Sequence, residues 1–455
     1  MSALILTSVL GVLLLYLGLF GNRTLLAPIG ILGLLGVIVL FYLDREINVE
    51  RFQSMLVFDR TSMLFSCGMS VITALIFLFG IDYFKREQEN VAEQYALMVF
   101  SLTGGIMLTA FTNLLMLFLG IEILSIPLYI MAGAKKRSLR SSEASFKYFL
   151  LGSFASAFLL LGIALIYGVA ASFDLNAVQK IALQQGENPD LLFTLGCFFV
   201  SVGLSFKVAA APFHFWSPDV YEGSPTLSTT FMATVVKMAA FIGFYRFVAM
   251  TGMPAALGKT LLVMTIATLL VGNIIALRQS HFKRLMAYSS IAHSGFLLMA
   301  LMSNAENTAQ VLFYYTFTYA LATVGLFIVM TLAKRAANGD ENVRIFRGLF
   351  RSNPWLGIML LMMMLSLAGI PPFAGFFAKV QVFMLAIGAQ YIWTTVFAVV
   401  MALVGIYYYA VVVREAFTPA EEKPVLAVSP LNWLVISLCG VAVLGLAVMP
   451  QYLLH

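Results

Sequence analysis

The chain has 455 residues, 61% of them hydrophobic and only 11% charged, and a mean hydropathy of +0.95. This excludes a soluble globular domain, which would carry about a quarter charged residues. Continuous apolar runs of about 18 residues or more predict a polytopic α-helical membrane protein and argue against a β-barrel, whose strands alternate. The net charge of +6 does not point to nucleic acid, because its distribution reads as a topology signal.

Fourteen spans are predicted, at residues 3–20, 24–43, 60–81, 92–110, 112–133, 145–170, 191–211, 226–250, 257–277, 284–303, 308–333, 354–388, 391–413 and 429–448. The opening Met1-Ser-Ala-Leu-Ile-Leu has no basic region and no small-residue cleavage site, so it is expected to be the first span and not a removed signal. Assigning loops alternately to two sides puts 18 Lys and Arg on one side and 5 on the other. By the positive-inside rule both termini are expected on the outer side. The other four basic residues, Lys207, Lys237, Arg246 and Lys379, fall within spans.

In chain order, Glu122 is the one acid placed in the middle of a span. A carboxylate there should be protonated or paired, and Lys207 is the expected partner. Lys147 begins the sixth span and reads as interfacial. Lys207 closes an apolar run five residues before Pro212, which should break the helix. A broken helix is tolerated in a bilayer only where protein or a water-filled cavity covers the freed backbone groups. A lysine at such depth costs about 2.5–3.5 kcal/mol on insertion scales, so a role in an ion pathway is its default reading. His214 could line the same cavity or satisfy freed carbonyls, and Asp219 and Glu222 read as loop residues.

Lys237 lies about 16 Å into its helix, beyond easy snorkelling. Arg246, near the end of the same helix, reads as a snorkelling residue. His293 sits near mid-membrane, with a pKa suited to proton relay or a side chain suited to interhelical hydrogen bonding. Residues 354–388 would make a straight helix of about 50 Å, against a hydrocarbon thickness of about 30 Å. Pro371-Pro372 in its centre predicts a second break, with Lys379 just beyond. Trp393 and the Tyr407–Tyr409 run read as interfacial or packing residues.

Pro212 and Pro372 each fall in the fourth span of a five-span set, residues 92–250 and 257–413. An odd number of spans per unit inverts the second unit relative to the first. Paired broken segments in inverted repeats mark transporter sites. The expected fold is thus all-α and polytopic, one membrane domain over 1–455 with about 14 transmembrane helices and two inverted five-helix repeats, each with a broken helix.

Cys67, Cys197 and Cys439 are scattered, with no CxxC pair or Cys/His cluster, so no metal site is expected. No GxGxxG or P-loop argues for nucleotide binding. Glu122, Lys207, Lys237, His293 and Lys379 therefore form a candidate proton chain whose driving energy comes from elsewhere. In a purely structural reading the same charges hold spans together.

The stretches Phe118-Leu-Gly-Ile-Glu122, Ser142-Glu-Ala-Ser-Phe-Lys147-Tyr, Phe206-Lys207 with Pro212-Phe-His214-Phe-Trp-Ser-Pro-Asp-Val-Tyr-Glu-Gly, Phe282-Lys-Arg-Leu-Met-Ala-Tyr-Ser-Ser-Ile-Ala-His293 and Leu365-Ser-Leu-Ala-Gly-Ile-Pro-Pro carry a resemblance over nearly the whole length. The chain resembles the antiporter-like proton-channel subunits of bacterial NADH:quinone oxidoreductase, respiratory complex I. Ser-Pro-Asp-Val-Tyr with Lys237 downstream resembles the N type of that family and not its L or M relatives. The resemblance implies that Glu122 and Lys207 form the coupling pair, Lys237 the central relay and Lys379 the exit-side residue. It implies a bacterial inner-membrane location and sister antiporter-like subunits as partners, with NADH, flavin, iron–sulfur clusters and quinone handled by other chains and no cofactor in this one. A subunit of a multisubunit cation/proton antiporter shares this architecture and stands as the alternative, beside a non-transporting scaffold.

Overall fold

The computed structural model describes residues 1–21, 23–43, 55–85, 91–185, 190–252, 254–420 and 426–448. Of the basic residues used to assign sides, Arg45, Arg51, Arg86 and Lys423 lie outside these ranges, as does the C-terminal end of the chain. Among the described residues the secondary structure is helical throughout, with only three isolated β-bridges and no strand.

The first helices are α1 (Ser2–Leu19), α2 (Arg23–Leu43), α3 (Arg60–Tyr83), α4 (Val91–Ala110), α5 (Leu114–Ala132) and α6 (Leu139–Ala170). A short amphipathic α7 (Leu175–Gln185) precedes α8 (Leu191–Lys207), α9 (Trp216–Gly223), α10 (Thr226–Ala233) and α11 (Val235–Thr251). Then come α12 (Ala255–Ala276), α13 (Phe282–Ser303), α14 (Thr308–Ala336), the single turn α15 (Leu349–Ser352), α16 (Pro354–Ala368), α17 (Ala374–Gly388), α18 (Ile392–Phe417) and α19 (Pro430–Val448). Among the described residues twelve helical stretches are long and apolar enough to cross a membrane, counting α10 and α11 as one, and α8, α16 and α17 are shorter apolar helices.

Three differences from the expected spans bear on the site. First, α6 starts at Leu139, six residues early, because Ser138 caps it by accepting the Ser141 amide at 3.4 Å; this places Lys147 two turns inside the helix. Second, α8 ends at Lys207 itself, four residues before the expected edge. Ala209 adopts a left-handed φ of 54°, and the Ala210 amide turns back to the Ser205 carbonyl at 2.9 Å. Third, the span expected over 226–250 is interrupted at Thr234 (φ −114°, ψ −80°). There the Thr229, Thr230 and Thr234 hydroxyls all bond back to carbonyls four residues earlier, a pattern that loosens and bends a helix. The expected break at Pro371-Pro372 lies between α16, capped by Gly369 at φ +79°, and α17.

Burial divides the helices into a core and a periphery. The apolar windows of 226–251 and 282–303 are fully buried and that of α14 is 94% buried, whereas α1, α2, α6, α18 and α19 are at most 39% buried. A helix apolar on every side with a fully covered surface has its polar groups facing protein and not lipid. Lys237 on α11 and His293 on α13 are therefore interior by position.

Candidate functional site

Lys207, Lys237, His293 and Lys379 are each 4–5% exposed. The structure brings the last three together, and Lys207 adjoins them through backbone and serine contacts.

Lys207, at the last turn of α8, sits in an aromatic cage. Its ammonium lies 5.2, 5.4 and 5.7 Å from the ring centroids of Tyr129, Phe206 and Tyr148, and it donates to the Tyr129 hydroxyl at 3.1 Å. Ring faces attract a desolvated cation. Trp216, at the start of α9, stacks on Tyr148 at 4.6 Å and donates its indole N–H to the Phe206 carbonyl at 2.9 Å. The helix beyond the break thus closes the cage.

Among the described residues no ion pair joins Glu122 to Lys207, contrary to the sequence expectation. Glu122 belongs to the outward stripe of α5, with Leu115, Leu119, Ile126 and Ile130, which are 38–56% exposed, and accepts a hydrogen bond from the Ser156 hydroxyl of α6. Tyr129 stands two turns further along α5, about 10 Å away, and occupies the position at the ammonium that the carboxylate was expected to fill. A Cβ on Gly152 would run into the Tyr129 hydroxyl. Gly152 and Ser156 are one turn apart on α6, so hydroxyl and carboxylate are neighbours along that helix. Tyr129 contacts Lys207, and Glu122 contacts Ser156 one turn along α6 from Gly152.

Beyond the break, the Val208 carbonyl accepts from Ser294 at 2.6 Å, and Ser294 also donates to the Ser290 carbonyl at 3.1 Å. Lys237 donates to both the carbonyl and the hydroxyl of Ser290, each at 2.5 Å, and its ammonium lies 5.0 Å from the Tyr319 ring. That ring is 4.7 Å from His293. His293 uses both nitrogens, Nδ1 with the Tyr315 hydroxyl at 2.8 Å and Nε2 with the Tyr409 hydroxyl at 3.0 Å. Tyr409 also bonds Ser289 at 2.5 Å. Phe296, one turn along α13, lies 6.4 Å from His293 between ring centroids.

Lys379 reaches back from α17 to the carbonyls of Leu367 and Ala368, at 3.0 and 2.7 Å. It covers the carbonyl end of α16, where the helix dipole favours a cation. Its ammonium is 5.2 Å from the Phe296 ring, one turn from His293 on α13.

Several sequence readings change. Tyr409 is 2% exposed and belongs to the His293 network, whereas Tyr407 (61%) and Trp393 (85%) do face outward. Arg246 does not snorkel: it is 6% exposed, pairs with Asp59 at 2.5 Å and donates to Ser62 at 2.7 Å. Lys147 pairs with Asp219 and Glu143, each at 2.7 Å. Asp219 and Glu222 both accept from Arg284 at 2.9 Å. Lys283, expected in a loop, is 2% exposed, donating to the Ser224 carbonyl at 2.8 Å and pairing with Glu341 at 3.4 Å. His214 is buried, and its Nδ1 has no partner among the described residues. Tyr129, Ser290, Tyr315 and Tyr319 were missed because a single hydroxyl inside an apolar run leaves the hydropathy pattern unchanged.

Among the described residues no group of three or more His, Cys, Asp or Glu is arranged to hold a metal ion. Buried lysines and a histidine held by hydroxyls, aromatic rings and carbonyls can pass protons; they offer no nucleophile beside a base.

Residues 111–405 match the NADH:quinone oxidoreductase/Mrp antiporter transmembrane family, and the chain belongs to it. Within that family it is 41% identical to subunit N of the NADH-quinone oxidoreductase of Cytophaga hutchinsonii, over 90% of this chain and 89% of the relative. In three dimensions it superimposes on a chain of respiratory complex I from Thermus thermophilus with a TM-score of 0.85 and 33% identity, covering 99% and 98% of the two chains. A chain of the Mrp complex from Dietzia shares the fold at a TM-score of 0.83 and 19% identity, over 100% and 95%.

Proposed function

We propose that this chain is the N-type proton-translocating membrane subunit of an NADH:quinone oxidoreductase. Quinone reduction in partner chains drives protons through Glu122, Tyr129, Lys207, Lys237, His293 and Lys379. The observation that carries this reading is the run of contacts just described: three buried lysines and a histidine, each joined to the next through a serine, an aromatic ring or a backbone carbonyl, in a part of the chain closed to lipid. A buried lysine releases its proton when its partners withdraw and regains it when they return. Small shifts of Tyr129 or of the Lys207 break therefore translate into proton movement.

The two broken segments, α8–α9 and α16–α17, support reading residues 92–250 and 257–413 as inverted repeats within a single membrane domain. The bias of basic residues supports both termini lying outside a bacterial inner membrane. NADH, flavin, iron–sulfur clusters and quinone belong to partner subunits in this reading, and sister antiporter-like subunits adjoin the chain in the membrane arm.

Replacing Lys207 with alanine tests the reading. The complex should assemble and NADH-driven proton pumping should be abolished; undiminished pumping by an assembled complex would overturn it. Purification in mild detergent separates this reading from a cation/proton antiporter, since NADH-oxidising chains should copurify only in the first case.

A further inference from the structure

We infer that the pocket between the end of α5 and the first turns of α6 binds an anionic diacyl phospholipid. The cavity has a volume of about 430 Å³ and is walled by Tyr129, Ile130, Gly133, Ser142, Phe146 and Phe149. Its outer side is apolar, with Ile130, Phe149 and Phe146 exposed by 56, 52 and 63%, an acyl-chain surface at membrane depth. Gly133 and Ser142 lie on either side of a tight turn, in which the Lys136 amide bonds the Ala134 carbonyl and the Ser138 amide bonds the Lys135 carbonyl. That turn carries the exposed Lys136 and Arg137, three and four residues after Gly133 of the pocket wall.

Charge selects the occupant. Between Ile123 and Ser142 the sequence contains no acid, and the next one, Glu143, is paired with Lys147 at 2.7 Å. Lys136 and Arg137 have no acidic partner among the described residues, so positive charge stands beside a hydroxyl and an apolar wall. That order matches a phosphate, a glycerol and an acyl chain, and basic groups beside membrane helices recruit anionic lipids. Occupancy has a consequence for the interior: the Tyr129 ring is a wall of the pocket, and its hydroxyl holds Lys207 at 3.1 Å. A seated lipid is one side chain away from the lysine.

The test uses the intact purified assembly in phosphatidylcholine nanodiscs containing a phosphatidylglycerol probe with a diazirine in its acyl chain. Photolabelling is located by mass spectrometry, which works in whichever assembly the chain purifies and so does not depend on the NADH oxidoreductase reading. Labels should concentrate on residues 142–149 and fall about tenfold in a K136Q/R137Q double variant, while a phosphatidylcholine probe labels both proteins weakly and equally. Equal labelling by the two probes would overturn the proposal. So would displacement by inorganic phosphate, which indicates a free-phosphate site, or absence of label at 142–149 with crosslinks to a neighbouring chain.

Discussion

Tyr129 shows how one hydroxyl sets the behaviour of a buried charge. Lys207 has three rings around it but, among the described residues, a single hydrogen-bond acceptor. Tyr129→Phe keeps the cage and removes that acceptor. A hydrogen bond to a charged group is worth about 1.5–3 kcal/mol, so the variant should pump about tenfold more slowly per NADH oxidised while assembling normally. An unchanged proton-to-electron ratio would remove Tyr129 from the pathway. Arg246 allows a stability prediction. Its side chain is 7% exposed and its partner Asp59 is 47% exposed, so the carboxylate stabilises a buried guanidinium from a partly solvated position. Asp59→Ala should lower stability by about 2 kcal/mol, read as a lower thermal midpoint of the purified complex, with pumping by the folded fraction unaffected.

At the level of elements, the broken helices explain what could be read in advance and what could not. Prolines announced the breaks near Pro212 and at Pro371-Pro372, because a missing N–H is visible in one letter. Thr234 announced nothing: its break comes from several threonine hydroxyls competing for carbonyls in a stretch with ordinary span hydropathy. The outward position of Glu122 was not legible, since α5 is apolar on every face and Leu115, Leu119, Ile126 and Ile130 stand out only by their exposure. Nor was the neighbour that meets Lys207, because that depends on how deep α5 stands against α8. The inward lysines were read from burial cost alone, while Lys283 was misplaced because it begins its helix beside loop residues. The second break also carries a packing prediction. A methyl on Gly375 would overlap the Ser366 carbonyl oxygen, a backbone atom that cannot swing away. Gly375→Ala should push α17 off α16, move Lys379 from the Leu367 and Ala368 carbonyls, and reduce the assembled complex recovered from membranes several-fold. Recovery equal to wild type would show that the two half-helices tolerate separation.

Across the whole molecule, ion pairs tie the first broken helix to the second half of the chain. Asp219, on α9, joins Lys147 of α6 to Arg284 of α13, and Glu222 joins Arg284 to Arg140. Glu341, in the loop after α14, joins Lys283 at 3.4 Å to Lys334 at 2.5 Å. Burial by itself would raise both acids. For Asp219, hydrogen bonds and charge from Lys147 and Arg284 outweigh it and hold the carboxyl below its ordinary range. For Glu341, the charges and hydrogen bonds of Lys283 and Lys334 do the same. A carboxyl depressed in the folded state contributes stability that is fully present above its unfolded pKa, about 4, and is lost as pH falls through the lower folded value. The thermal midpoint of the assembled complex should therefore stay level from pH 8 to pH 5 on account of these groups, then drop below about pH 4. A D219N/E341Q double variant should melt earlier at neutral pH and lose less than wild type on acidification, because its amides have no proton to gain. Parallel pH curves for the two proteins would mean that the pairs between α9, α13 and the loop after α14 do not couple the halves.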